Sequence, residues 1–255
     1  MIETIDEKAR LFLTILSVIA VGVLTSCAST PKTEFHMSDG ATECVVLLHG
    51  FNRSWRAMRP MAEALQESGY MTANVDYPTR AGPVKELVPM AVETGLRKCR
   101  DADAHSIHFV THSIGGILLR YAHSQEPIPE IGRVVMLAPP NGGSEVVDKT
   151  KDIPGAEMLG GEALMQLGTD EDSVPANLGP IDFEVGIIAG TSSMNPWMSA
   201  MLPDPDDGKV SVERTKLAGM TDFMMVDDNH HYIVEDEVVI RNTVEFLRTG
   251  LFIRN

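Results

Sequence analysis

From Glu43 onward, short apolar runs alternate with stretches of helical spacing. Cys44-Val45-Val46-Leu47-Leu48-His49 is continuous and short, the pattern of a strand buried on both faces. Arg56 to Glu67 reads as a helix, and Met71 to Tyr77 as the second strand. Val84 to Lys98 predicts a helix that turns Leu87, Met90, Ala91 and Leu96 inward. Ile107 to Thr111 is the third strand, and Gly115 to His123 the helix after it. Val134 to Ala138, Phe183 to Ala189 and Phe223 to Val226 complete six strands. Glu235 to Arg248 predicts a closing amphipathic helix with Val238, Val239, Val244, Phe246 and Leu247 inward. This alternation predicts an α/β domain: about six mostly parallel strands with helices on both faces. Ligands of such sheets bind at the carboxyl ends of the strands. Gly142 to Pro180 breaks the rhythm and reads as an insertion over those ends, after the fourth strand. Its apolar cluster, Met158, Leu159, Leu164, Met165 and Leu167, reads as packing, with an acyl-holding groove as the alternative.

The N-terminus follows another rule. Leu11 to Pro31 carries no charge, and its apolar heart, Leu11 to Leu24, is 14 residues long. That is the size of a signal-peptide core and short of the ~20 residues that span a bilayer. Lys8 and Arg10 precede it, diluted by Glu3, Asp6 and Glu7. Leu24-Thr25-Ser26-Cys27 then resembles a bacterial lipobox, in which the cysteine is lipidated and becomes the new N-terminus. The expected organisation is a lipoprotein-type signal peptide at 1–26, a tether at 27–42 and one domain at 43–255. An uncleaved transmembrane anchor is the alternative. Either places the domain in the cell envelope, facing the periplasm. Ala28 and Ser29 after the cysteine favour an outer-membrane lipid anchor, by resemblance to sorted lipoproteins.

Composition narrows the partners. The 255 residues hold 21 Lys and Arg against 36 Asp and Glu, a net charge of −15. Nucleic acid is an unsuitable partner for so acidic a chain, because phosphate binding needs basic patches. The same balance favours neutral small ligands over anionic lipids. Three cysteines are too few for a disulfide scaffold.

The chemistry concentrates after the strands. Thr111-His112-Ser113-Ile114-Gly115-Gly116 puts Ser113 between a strand and a helix, the context of a nucleophile elbow. Thr111 stands where the Gly-x-Ser-x-Gly pattern has its first glycine. A plain helix N-cap is the other reading of Ser113. With His49-Gly50-Phe51 ending the first strand, the chain resembles the α/β-hydrolase superfamily, in its small bacterial lipase/esterase branch. The resemblance runs from Cys44 to Phe252. It implies a serine hydrolase of carboxylic esters, acting on small-molecule or lipid esters without cofactor or metal. It also implies an oxyanion hole made by the backbone N–H groups of Phe51 and Ile114. The superfamily order is nucleophile, acid, histidine. Asp207-Gly208-Lys209-Val210 looks like its acid loop and selects Asp207, with Asp206 and Asp204 as competitors. His230-His231-Tyr232-Ile233-Val234 looks like its histidine loop and selects His230, with His231 as fallback. A histidine base titrates near 6.5 when unperturbed, so activity is expected to fall in acid. An acyltransferase on the same triad, or a non-catalytic binding lipoprotein, are the other function classes.

Cys44 begins the first strand, and Cys99 ends the helix before the Ser113 strand. In a parallel sheet both lie at the end away from the site. An extracytoplasmic setting permits oxidation. A Cys44–Cys99 disulfide is expected, with two buried thiols as the alternative.

Overall fold

The structure is a computed structural model that describes residues 33–254. The signal-peptide reading of 1–26, Cys27 and the start of the tether lie outside the described residues. Seven strands form one sheet in the order β1-β3-β2-β4-β5-β6-β7. They are β1 (Glu34–His36), β2 (Glu43–Leu48), β3 (Met71–Val75), β4 (Ser106–His112), β5 (Ile131–Leu137), β6 (Val185–Gly190) and β7 (Asp222–Val226). β1 pairs antiparallel with β3, and all other pairs are parallel. Chain order reverses beside β2, which lies between β3 and β4. The carboxyl ends of β2 and β4, in register at Leu48 and Thr111, therefore open a crevice.

Alternate residues of each strand serve opposite faces, as the period of two requires. Val46, Leu48, Phe109, Val134 and Met136 share one buried cluster with α2 (Val84–Val88), α3 (Thr94–Arg100) and α4 (Ile114–Gln125). Val45, Leu47, Val110, Val135 and Leu137 share the other with α1 (Arg59–Glu67) and α9 (Glu237–Thr249), the short α7 (Pro196–Ser199) and α8 (Val212–Thr215) lying in the loops before it. Each large apolar side chain fully buried this way contributes roughly 1.5–3 kcal/mol relative to exposure. The Asp236 side chain caps α9 by accepting from the Val239 N–H at 2.9 Å, and Gly250 ends it at φ 83.

Four details differ from the sequence expectation. The sheet has seven strands rather than six, because Glu34–His36, inside the expected tether, adds an edge strand to β3. The helix expected over Val84 to Lys98 is broken into α2, a π turn at Pro89–Glu93 and α3. Pro89 has no N–H to give the preceding turn, and the shifted phase carries Met90 outward. Val238 is 42% exposed on the solvent side of α9, whose inward stripe is Val239, Thr243, Phe246 and Leu247. The insertion is not a single packed cluster. It forms α5 (Glu145–Thr150) and α6 (Ala156–Met165), with Leu167 buried and Met158 75% exposed.

Cys44 and Cys99 are joined by a disulfide with Cα atoms 5.7 Å apart, tying β2 to the end of α3. It closes a loop with a sequence separation of 55. Cys99→Ser is expected to lower unfolding free energy by about 4 kcal/mol on the chain-entropy account. Urea unfolding of the oxidised protein measures it, and a loss under about 1 kcal/mol contradicts that account.

Candidate active site

β4 runs into α4 with only Ser113 between them. Ser113 adopts φ 54 and ψ −124. A non-glycine residue in that region costs roughly 1–3 kcal/mol and persists only where its surroundings hold it. Here its N–H donates to the Leu137 carbonyl at 2.9 Å, and its carbonyl accepts from Gly116 at 3.0 Å. Gly115 lets α4 approach β2: a Cβ there would lie 2.8 Å from the Leu48 carbonyl oxygen. A Cβ on Gly116 would come within 3.3 Å of Thr111 Oγ1. The bare Gly116 thus gives Thr111 room where the motif otherwise has glycine.

His230 lies in the loop between β7 and α9. Ser113 Oγ donates to its Nε2 across 3.0 Å, and its Nδ1–H donates to Asp207 Oδ2 across 2.6 Å. The other Asp207 oxygen accepts from the N–H groups of Lys209 at 2.9 Å and Val210 at 2.8 Å. The carboxylate is 2% exposed, so these three bonds carry its solvation. The backbone joins in, with the His230 N–H on the Asp207 carbonyl at 3.0 Å. The competitors point elsewhere. Asp206 accepts from the Gly208 N–H at 2.7 Å and from Ser199 Oγ at 2.6 Å. Asp204 is exposed. His231 is exposed and accepts from Arg53 Nη1 at 2.8 Å. Its pKa is lowered by desolvation and by the Arg53 charge.

Two further histidines brace the loops. His49 is fully buried, stacks on Tyr77 at 4.2 Å, and donates from Nδ1 to the Gly50 carbonyl at 2.9 Å. The Tyr77 hydroxyl donates to the His49 carbonyl. The turn that follows closes through the Arg53 N–H on the Gly50 carbonyl at 3.3 Å, with Asn52 at φ 53. Phe51 sits inside that turn, and Ile114 is the first residue of α4. Among the described residues neither backbone N–H meets an acceptor in the protein.

His112 is buried, donates from Nε2 to the His230 carbonyl at 2.9 Å, and leaves Nδ1 unpartnered. Burial, and then the charge of His230, hold its pKa well below the usual histidine value. A histidine kept neutral in the fold but free to charge when unfolded lets the unfolded state bind more protons. Stability is complete above the free value near 6.5 and is lost as pH falls below it. The expected loss is at most about 1.4 kcal/mol per pH unit. Urea melts between about pH 7 and 5 should show His112→Asn with a shallower slope than the parent. Equal slopes contradict the neutral His112.

The crevice above Ser113 is a cavity of about 610 Å³. Val146, Val147, Ile153, Leu164 and Leu167 of the insertion form its apolar wall, with Val210 opposite. Ser144 lines it too, its hydroxyl held by the Lys209 carbonyl at 2.7 Å. The insertion is clamped at both stems. Arg120 is buried, bonds Asn141 O and Oδ1 at 3.2 Å each, and reaches the Gly179 carbonyl at 3.1 Å. Burial pulls its pKa down to about 10. Sequence reasoning passed over Arg120, and over two cations on the cavity wall, Arg53 and Lys209. Arg120 sits inside α4, where spacing does not reveal its buried contacts, and the two loop cations carry no periodicity to mark them.

No family model matches the chain, and no curated protein matches it. Solved structures do. A lipase of Bacillus licheniformis in mature form is 19% identical with a TM-score of 0.67, over 87% of this chain and 98% of that one. An esterase of Pyrococcus furiosus is 18% identical with a TM-score of 0.57, over 86% of this chain and 90% of that one. An esterase of Exiguobacterium antarcticum is 12% identical with a TM-score of 0.56, over 86% and 96%. The parallel sheet, its strand order and these likenesses identify the α/β-hydrolase fold.

Proposed function

We propose that the chain is a serine hydrolase of carboxylic esters, with Ser113 as nucleophile, His230 as base and Asp207 as the acid that orients it. One observation carries the reading: an unbroken Ser113–His230–Asp207 hydrogen-bond chain under an apolar cavity. His230 Nε2 takes the Ser113 proton as Oγ attacks the ester carbonyl carbon. Asp207 accepts from Nδ1, keeps Nε2 free, and stabilises the imidazolium. The carbonyl oxygen, now an oxyanion, rests on the N–H groups of Phe51 and Ile114. Each such donor is worth about 2.7–4 kcal/mol of transition-state stabilisation. The imidazolium gives its proton to the departing alkoxide, leaving an acyl-Ser113. Water then attacks that acyl group, with His230 again as base, and releases the acid. The acyl chain occupies the insertion wall, so the acyl-groove reading is the one adopted. The names of the structural neighbours, lipase and esterase, support an ester substrate.

The test is hydrolysis of p-nitrophenyl esters of rising acyl length by the full chain in detergent, with labelling by a fluorophosphonate probe. Turnover, and probe attached at Ser113, are expected. A folded protein that is inert and unlabelled overturns the proposal.

A further inference from the structure

The cavity that would hold the ester is apolar on one wall but carries two cations, Lys209 and Arg53, from different loops. In a chain of net charge −15 they run against the composition. A neutral ester needs neither, and a charge beside an apolar cavity loses hydration without return. Lys209 lines the cavity while staying exposed, and the burial of part of its surroundings lowers its pKa. Among the described residues its ammonium forms no ion pair, and its neighbour is Met198 Sδ at 2.9 Å, a weak acceptor. The acid whose field reaches it, Asp207, is engaged by His230 and two N–H groups. Arg53 bonds the ring of His231, while its nearest carboxylate oxygen, on Glu235, stands 3.6 Å away. Arg53 also borders an adjoining hollow that Arg56 and Glu235 line with it.

We propose that the site takes esters whose alcohol portion carries an anionic group, a carboxylate or a phosphate, met by Lys209 and Arg53. The acyl chain lies on the insertion wall and the anion sits at the cations. This reverses, at the site, the preference for neutral ligands that net charge alone suggests. Charge-assisted bonds from an ammonium and a guanidinium supply the discrimination. The inference rests on the ester-hydrolase reading.

Three substrates with one octanoyl group test it: 4-octanoyloxybenzoate, 4-octanoyloxyphenyl phosphate and the neutral 4-octanoyloxybenzamide. The full chain is expected to show kcat/KM at least about 10-fold higher for an anionic ester than for the amide. In the Lys209→Met/Arg53→Met variant that ratio should fall towards unity, and Lys209→Arg should largely keep it. The carboxylate and phosphate arms show which anion is preferred. Turnover of all three with no anionic preference, or a ratio unmoved in the double variant, overturns the inference and leaves the hydrolase reading intact. If none is hydrolysed, the hydrolase reading fails. Calorimetric binding to the full chain then decides: tighter binding of the anions than of the amide, weakened in the double variant, supports the inference, and equal binding overturns it.

Discussion

Ser113→Ala is expected to lower kcat for ester hydrolysis by about a million-fold, the scale on which removal of one member disables a cooperating triad. Ser113 Oγ is the atom that meets His230 Nε2, and Ala brings no oxygen to that place. The second serine on the cavity wall, Ser144, gives its hydroxyl to the Lys209 carbonyl and has no histidine partner among the described residues. His230→Ala should cost nearly as much, and the double variant little more, because each change removes the same proton relay. Residual rate over water should persist through the N–H groups of Phe51 and Ile114. Steady-state kinetics on the three variants read this directly. Losses that multiply in the double variant, or a single loss under tenfold, contradict the shared relay. The fold should survive, since Ser113 φ 54 is imposed by the Leu137 and Gly116 contacts and not by the hydroxyl.

The second large effect separates adjacent acids. Asp207→Asn should lower kcat by about 10⁴-fold, because an amide can favour the wrong histidine tautomer while preserving shape. Asp206→Asn should leave kcat within about tenfold and instead destabilise the fold by roughly 1–3 kcal/mol, the cost of disturbing a buried acceptor. Asp206 holds the Gly208 N–H and Ser199 Oγ, which shape the turn without touching His230. Comparable losses of kcat in the two variants contradict the assignment.

The sheet was legible because its strands are buried on both faces and so read as continuous apolar runs, as at Cys44 to Leu48 and Val134 to Leu137. β1 was not legible. Three residues, Glu34, Phe35 and His36, are too few to show a period, and an edge strand need bury little. Val238 was misplaced because Val238 and Val239 are equally apolar. Only the direction of α9 against the sheet chooses Val239.

The alternation of strands and helices, the serine at the end of the third apolar run and the order of serine, acids and histidines follow from the chain alone. Local propensity and burial pattern act over a few residues, and these features are that short. The choice among Asp204, Asp206 and Asp207, and between His230 and His231, belongs to tertiary structure. His230 is 117 positions from Ser113, and their meeting depends on how the loop after β7 reaches past β6 and β5 to the end of β4. The cations Lys209 and Arg53 gain meaning in the same way. In the sequence each is a basic residue in a polar loop, and only folding sets both against one cavity.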